Sequence, residues 1–300
     1  MKKTKENKNL YKTGNIAIIG KTNAGKSTLI NTLVGEKVAI VSPKTQTTRD
    51  NILGILTEEF YQLVFIDTPG IHKSLNNLDR KMNKNVRSAI SSVDMIIYLL
   101  DASKKVSQDE IDYITHIKQV PVILALSKAD LVNQSKVLEL INLFKKAKNI
   151  HAIIPISSKE ERNLDVLISE ILANIEGTEE KVFYFDDEEY TDKSVKFMIS
   201  EIIREKALFA LQEEIPHGIA VNIPVFNEDE KIVNIQADII CEKDSHKNII
   251  IGKGGAKIKE ISSRARIEIE EFLGKKVMLQ TWVKVVKNWR NRVNLNSILE

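Results

Sequence analysis

Three hundred residues at 43% hydrophobic content can fill more than one core, and a net charge of only +3 excludes a chain whose bulk charge alone selects a polyanion. A single cysteine, Cys241, excludes an internal disulfide and fits a reducing compartment. Apolar runs such as MIIYLL are far shorter than the roughly 20 residues of a membrane-spanning helix, and no apolar region follows the basic start, so neither a span nor a secretory signal is expected.

The first dozen residues, MKKTKENKNLYK, carry five lysines and one acid and read as a basic extension over residues 1–13. From there to residue 176, short apolar strands alternate with amphipathic, lysine-rich segments. The strands are NIAIIG, YQLVFID, DMIIYLLD, PVILALS and HAIIPIS. Helices are expected from Gly25, near Leu78 to Ser91, and from Gln108, Ser135 and Asn163. Continuous apolar strands separated by helices indicate a mostly parallel, doubly wound α/β sheet buried on both faces. The acidic run GTEEKVFYFDDEEYTD breaks the rhythm and reads as a linker over residues 177–193.

Residues 194–300 follow a different order. A helix around Val195 to Ile202 leads to the strands GIAVNIPVF and KIVNIQADIICE. The glycine-rich loop IIGKGG then opens a helix with apolar Ile258, Ile261, Ala265 and Phe272, and VMLQTWVKV closes the module as a strand. After Glu271 no acid occurs until Glu300, whereas Lys275, Lys276, Lys284, Lys287, Arg290 and Arg292 all fall there. This basic end reads as a polyanion-binding face, against the plainer reading of solvated surface charge.

Chemistry concentrates at the strand ends of the first domain. GKTNAGKS, Gly20 to Ser27, matches G-x-x-x-x-G-K-[ST] with a strand before it and a helix after it, the setting in which backbone N–H groups and a helix N-terminus converge on phosphates. Gly20, Asn23, Ala24, Gly25 and Thr28 belong to that cradle; Lys26 reaches the outer phosphates and Ser27 offers its hydroxyl to Mg²⁺. YQLVFID ends in DTPG, so Asp67 holds Mg²⁺, through water, and the Gly70 N–H senses the γ-phosphate. In the polar loop SPKTQTTRD, Thr48 is the first choice and Thr47 the second for a hydroxyl that completes the metal shell when a triphosphate is bound. LALSKADL supplies the base: Asp130 can accept both guanine N1–H and N2–H, where adenine leaves buried groups unpaired and loses about 10⁴-fold or more. Lys128 lays its stem along the base, Ser127 opens the loop, and a backbone N–H of Ser157, Ser158 or Lys159 donates to guanine O6.

The GKGG of Gly252, Lys253, Gly254 and Gly255 fits the G-x-x-G loop of a type II KH domain, with Lys257 and Lys259 following it, and implies single-stranded RNA as partner. Trp282 and Trp289 are read as packing residues before base-stacking ones.

The order GKTNAGKS, TQTTRD, DTPG, SKAD and SSK, followed by REKAL, IIGKGGAKIKEI and WVKVVKNW, resembles the Era family of translation-factor-related bacterial GTPases from Gly14 onward. The resemblance implies a P-loop G domain over 14–176, a KH domain over 194–300, GTP/GDP and Mg²⁺ as cofactors, and catalytic roles for Lys26, Asn23, Thr48 and Gly70. It further implies binding to 16S ribosomal RNA near its 3′ end, a part in 30S subunit assembly, and a monomer in the cytoplasm with a peripheral place at the cytoplasmic membrane as a further option. In related GTPases an asparagine at the Asn23 position helps bind K⁺, which implies K⁺-stimulated hydrolysis. Two departures stand out. Ser127 replaces the family's usual asparagine, so Ser127→Asn is expected to tighten nucleotide binding without changing base preference. Ile71 occupies the place where Ras-like enzymes carry a water-orienting glutamine, so intrinsic hydrolysis is expected to be slow. The competing readings are a nucleotide-dependent, membrane-associated cell-cycle adaptor and a plain RNA-binding protein with a silent G domain.

Overall fold

The computed structural model describes residues 10–44, 46–70, 77–118 and 120–291, and divides into two compact units. The first draws on residues 1–38, 50–71 and 85–192, the second on 39–49, 72–84 and 193–300. Ile71 and most of the basic extension lie outside the described residues.

The first unit is a seven-stranded sheet: β1 (Tyr11–Ile19), β2 (Ile52–Glu58), β3 (Tyr61–Asp67), β4 (Met95–Asp101), β5 (Val122–Ser127), β6 (Ile150–Pro155) and the two-residue β7 (Gly177–Thr178). The strand order is β2-β3-β1-β4-β5-β6, with β7 antiparallel on β1. Pairings from β3 to β6 are parallel, and β4 and β5 are buried at every position, as strands covered on both faces must be. The helices are α1 (Lys26–Val34), α2 (Asn77–Ile90), α3 (Gln108–Thr115), α4 (Gln134–Phe144) and α5 (Leu164–Ala173). The dividing line between the units falls within α2, between Lys84 and Asn85.

Two features of this unit differ from the sequence reading. Strand β2 is an added antiparallel edge, joined to β3 by a tight turn at Glu59 and Phe60; its polar flanks hide it beside the loop SPKTQTTRD. The acidic stretch, read as a linker, lies along this edge. Ile55 N–H donates to Tyr190 O at 3.0 Å and Leu53 N–H to Asp192 Oδ1 at 3.0 Å. The buried Gln62 amide donates to Phe185 O at 2.9 Å, and its Oε1 accepts from Tyr184 N–H at 2.8 Å. A buried amide and an exposed strand edge both need partners, and the stretch supplies them.

The second unit packs α6 (Val195–Ala210), α7 (Asp244–Ile251) and α8 (Ala256–Leu273) with a sheet of β8 (Ala220–Glu228), β9 (Ile232–Cys241) and β10 (Lys276–Val285). The strand order is β10-β9-β8, with β10 parallel and β8 antiparallel to β9. Val233, Ile235, Ala237 and Ile239 alternate into the core and meet Ile199, Ile202 and Ile203 of α6 and Ile261, Ala265 and Ile269 of α8. Helix α7 was not expected. It has eight residues, three consecutive β-branched isoleucines and an Lys243 N-cap with no side-chain cap bond, so its local signal is weak; burial of Ile250 in the core stabilises it.

Candidate nucleotide site and RNA loop

Strand β1 delivers the chain to Gly20, whose φ of 155° and close approach to Leu99 O leave no room for a Cβ. Asn23 at φ 62° and Gly25 at φ 99° turn the loop into the N-terminus of α1. Lys26 folds back across the cradle: its Nζ donates to Gly20 O at 3.2 Å and Lys21 O at 3.1 Å. Its burial pushes the ammonium down to about 8, against the opposing pull of Asp67. A buried lysine so poised favours an anion above it.

The Ser27 hydroxyl donates to Asp67 Oδ2 at 2.7 Å, and Asp67 is fully buried at the C-terminal end of β3. A hydroxyl and a carboxylate oxygen brought this close form a hard oxygen pair suited to Mg²⁺, which takes few protein oxygens and completes its shell with phosphate and water. Gly70 lies against the phosphate loop: a Cβ there would meet Thr22 Cγ2 at 2.6 Å and Thr22 N at 2.9 Å. Only glycine allows DTPG and the phosphate loop to run this close.

At the base end, Ser127 is 3% exposed and its hydroxyl lies 2.8 Å from Ala24 O and 3.2 Å from Leu100 O. The serine therefore ties the base strand to the phosphate loop. Lys128, at φ 56°, donates from Nζ to Asn23 O at 2.8 Å and to Asp101 Oδ2 at 2.7 Å. Asp130 sits in a 3₁₀ turn at Ala129–Leu131, half-buried, its carboxylate bonded to none of the described residues. Ser157 N–H donates to Arg162 O at 3.2 Å, which leaves the N–H groups of Ser158 and Lys159 as the donors toward a base; Ser158 O accepts from Thr32 of α1.

Sequence reasoning missed Asp101. An acid at the end of DMIIYLLD marks the carboxyl edge of the parallel sheet, but its partner Lys128 follows a different strand, which residue order does not reveal.

The segment carrying Thr47 and Thr48 belongs to the second unit, and Thr48 is buried there. Arg204 of α6 donates to Thr47 O, and Glu205 accepts from Val41 N–H at 2.9 Å. Arg49 donates to Ile219 O at 2.5 Å and His217 O at 3.1 Å, with its guanidinium 5.6 Å from the Trp289 ring centre.

The GKGG loop joins α7 to α8. Gly252, Gly254 and Gly255 have φ of 73°, 59° and 77°, and a Cβ on Gly252 would meet Lys257 Cβ at 2.8 Å. Lys253 and Lys259 are exposed and Lys257 is half-buried. Positive φ at three glycines opens the backbone at the N-terminus of α8, a favourable place for phosphates. Trp289 is fully buried with Leu78, Met82, Ala220 and Ile240, and its indole N–H donates to Gly218 O at 3.0 Å; Trp282 is 44% exposed.

A phosphate loop followed by a buried carboxylate at one strand end and an SKAD turn at another, with a G-x-x-G loop between two helices, defines a P-loop GTPase domain joined to a KH domain. Residues 15–128 match the family model described as 50S ribosome-binding GTPase, and residues 214–290 match the KH domain model. GTPase Era from Thermoanaerobacter sp. (strain X514) is 43% identical over 95% of both chains. That of Caldanaerobacter subterraneus subsp. tengcongensis is 44% identical over 95% of this chain and 96% of its own. The chain belongs to the Era family of GTPases. Among solved structures, Era in complex with MgGDPNP and nucleotides 1506–1542 of 16S ribosomal RNA superposes with a TM-score of 0.91 at 36% identity, covering 96% of this chain and 98% of that one. A variant of Aquifex aeolicus Era bound to GDP and AlF₄⁻ gives 0.90 at 37% identity over the same shares.

Proposed function

We propose that this GTPase is a nucleotide-controlled switch that binds 16S ribosomal RNA near its 3′ end through the KH loop and acts in assembly of the 30S subunit. The observation that carries the reading is the GKGG loop between α7 and α8, together with the likeness to an Era chain that holds nucleotides 1506–1542 of that RNA.

In the nucleotide site, Lys26 and the N–H groups of Gly20 to Thr28 bind the phosphates. Asp130 reads guanine, with Lys128 along the base and Ser158 or Lys159 at O6. Ser27, Asp67 and Thr48 are the oxygens that would hold Mg²⁺, directly or through water, and the ion supplies neutralisation of the β- and γ-phosphate charge. Thr48 is the hydroxyl that a triphosphate would draw on, and Arg204 donates to the carbonyl of the neighbouring Thr47. Gly252 to Gly255, with Lys253, Lys257 and Lys259, receive the RNA backbone. The protein works as a single chain in the cytoplasm.

The test is crosslinking of RNA to the full chain loaded with GTP or GDP, followed by sequencing of the fragments. Enrichment of the 3′ end of 16S ribosomal RNA in one nucleotide state is expected; random RNA in both states rejects the reading. Asn23 adds a second expectation: hydrolysis runs faster in K⁺ than in Na⁺. Equal rates in the two salts, unchanged by Asn23→Ala, remove K⁺ from the mechanism.

A further inference from the structure

Asp101 ends β4 and is 7% exposed, yet no direct role toward nucleotide falls to it. Its two oxygens divide their partners. Oδ1 accepts from the Ser103 hydroxyl at 2.6 Å and the Ser103 N–H at 3.1 Å, a short turn that fixes the carboxylate plane. Oδ2 accepts from Lys128 Nζ at 2.7 Å, with the more exposed Lys104 at 3.5 Å. Burial alone would raise this carboxyl's pKa; the bonds from Lys128 and Ser103 more than reverse that and hold it below the usual carboxylate value.

Lys128 is held at both sides. The same ammonium that meets Asp101 donates to Asn23 O in the phosphate loop at 2.8 Å, and its own backbone stands in the left-handed region at φ 56°. A lysine chain has four rotatable bonds and lies in one place only when its end is bound. With the ammonium anchored between Asp101 and Asn23 O, the aliphatic stem is stretched from SKAD to the phosphate loop.

We propose that Asp101 is a positioning residue for nucleotide binding: through Lys128 it latches the base loop to the phosphate loop, so the grips on guanine and on phosphate form one preorganised unit. Asp101 touches neither base nor phosphate. It removes the freedom of Lys128 before nucleotide arrives, which lowers the ordering cost of binding. The proposal rests on the assignment of SKAD and GKTNAGKS as base and phosphate loops.

The test is a double-mutant cycle on the full chain, reading GDP affinity in Mg²⁺ buffer by calorimetry. Asp101→Asn keeps the shape but loses the charge, and is expected to weaken GDP binding about tenfold, about 1.4 kcal/mol. Lys128→Met weakens it as well. The double variant binds no more weakly than Lys128→Met alone, because the aspartate acts only through that lysine. Additive losses, or wild-type affinity in Asp101→Asn, overturn the proposal. Should Asp101→Asn fail to fold by circular dichroism, Ser103→Ala replaces it in the cycle; a loss of about threefold that vanishes with Lys128→Met supports the latch, and a loss that persists, or none, overturns it. Absence of GDP binding by the wild-type chain would instead defeat the nucleotide reading itself.

Discussion

At the scale of single residues, the proposed phosphate site centres on the buried Lys26. The pKa of Lys26 lies near 8 rather than at its ordinary 10.5, because burial disfavours its charge. Nucleotide phosphate favours the charged form, so GDP binding should take up a proton near and above pH 8 and almost none at about pH 6.5. Calorimetry in buffers of different ionisation enthalpy measures this uptake, which Lys26→Met should abolish. The same shift has a sign for stability without nucleotide. Between about pH 8 and 10.5 the unfolded chain holds the proton that the folded one lacks, so stability relative to Lys26→Met rises with pH through that window. Ser127 belongs to this scale too. Its hydroxyl already bonds the phosphate loop, so Ser127→Ala should lose about 0.5 to 1.5 kcal/mol of nucleotide affinity with guanine preference unchanged, measured as parallel GDP and ADP titrations.

At the scale of elements, the KH loop depends on backbone geometry more than on side chains. Gly252→Ala places a methyl group 2.8 Å from Lys257 Cβ at a φ of 73°, which strains the start of α8 by about 1 kcal/mol or more. RNA binding in a gel-shift assay should weaken while GTP turnover stays at the wild-type rate. The ends of the KH module separate two tryptophans by burial. Trp289→Ala should destabilise the unit by about 3–5 kcal/mol in a denaturant melt, because the ring is enclosed and its N–H is bonded. Trp282→Ala, on the exposed side of β10, should shift the same melt by less than about 1 kcal/mol.

At the scale of the whole molecule, the chain divides where the sequence does not. The segment 39–49, which precedes β2 in the chain, is counted with the KH unit, held by Arg204, Glu205 and the bonds of Arg49. If nucleotide state controls RNA binding as proposed, removing the Arg204 bond should weaken that control. Arg204→Met is expected to narrow the difference in RNA affinity between GTP- and GDP-loaded protein, with GTP affinity itself retained. An unchanged difference would assign Arg204 to packing alone.

Local chemistry determined much of this. GKTNAGKS, DTPG, SKAD and GKGG are each contiguous, and the chemistry read for each rests on neighbouring residues, so residue order alone suggested phosphate, metal, base and RNA. The parallel sheet was legible because strands buried on both faces must be continuously apolar. Tertiary structure decided what depends on distant partners. Asp101 acquires a role only when β4 and β5 lie side by side and bring Lys128 within reach. Short α7 is stabilised by the core that receives Ile250, and β2 by the partner strand that completes its hydrogen bonds. The acidic stretch reads as a spacer until the buried Gln62 amide is found bonded to its backbone. Motifs carry chemistry that is local in the chain; packing alone decides which distant side chains hold that chemistry in place.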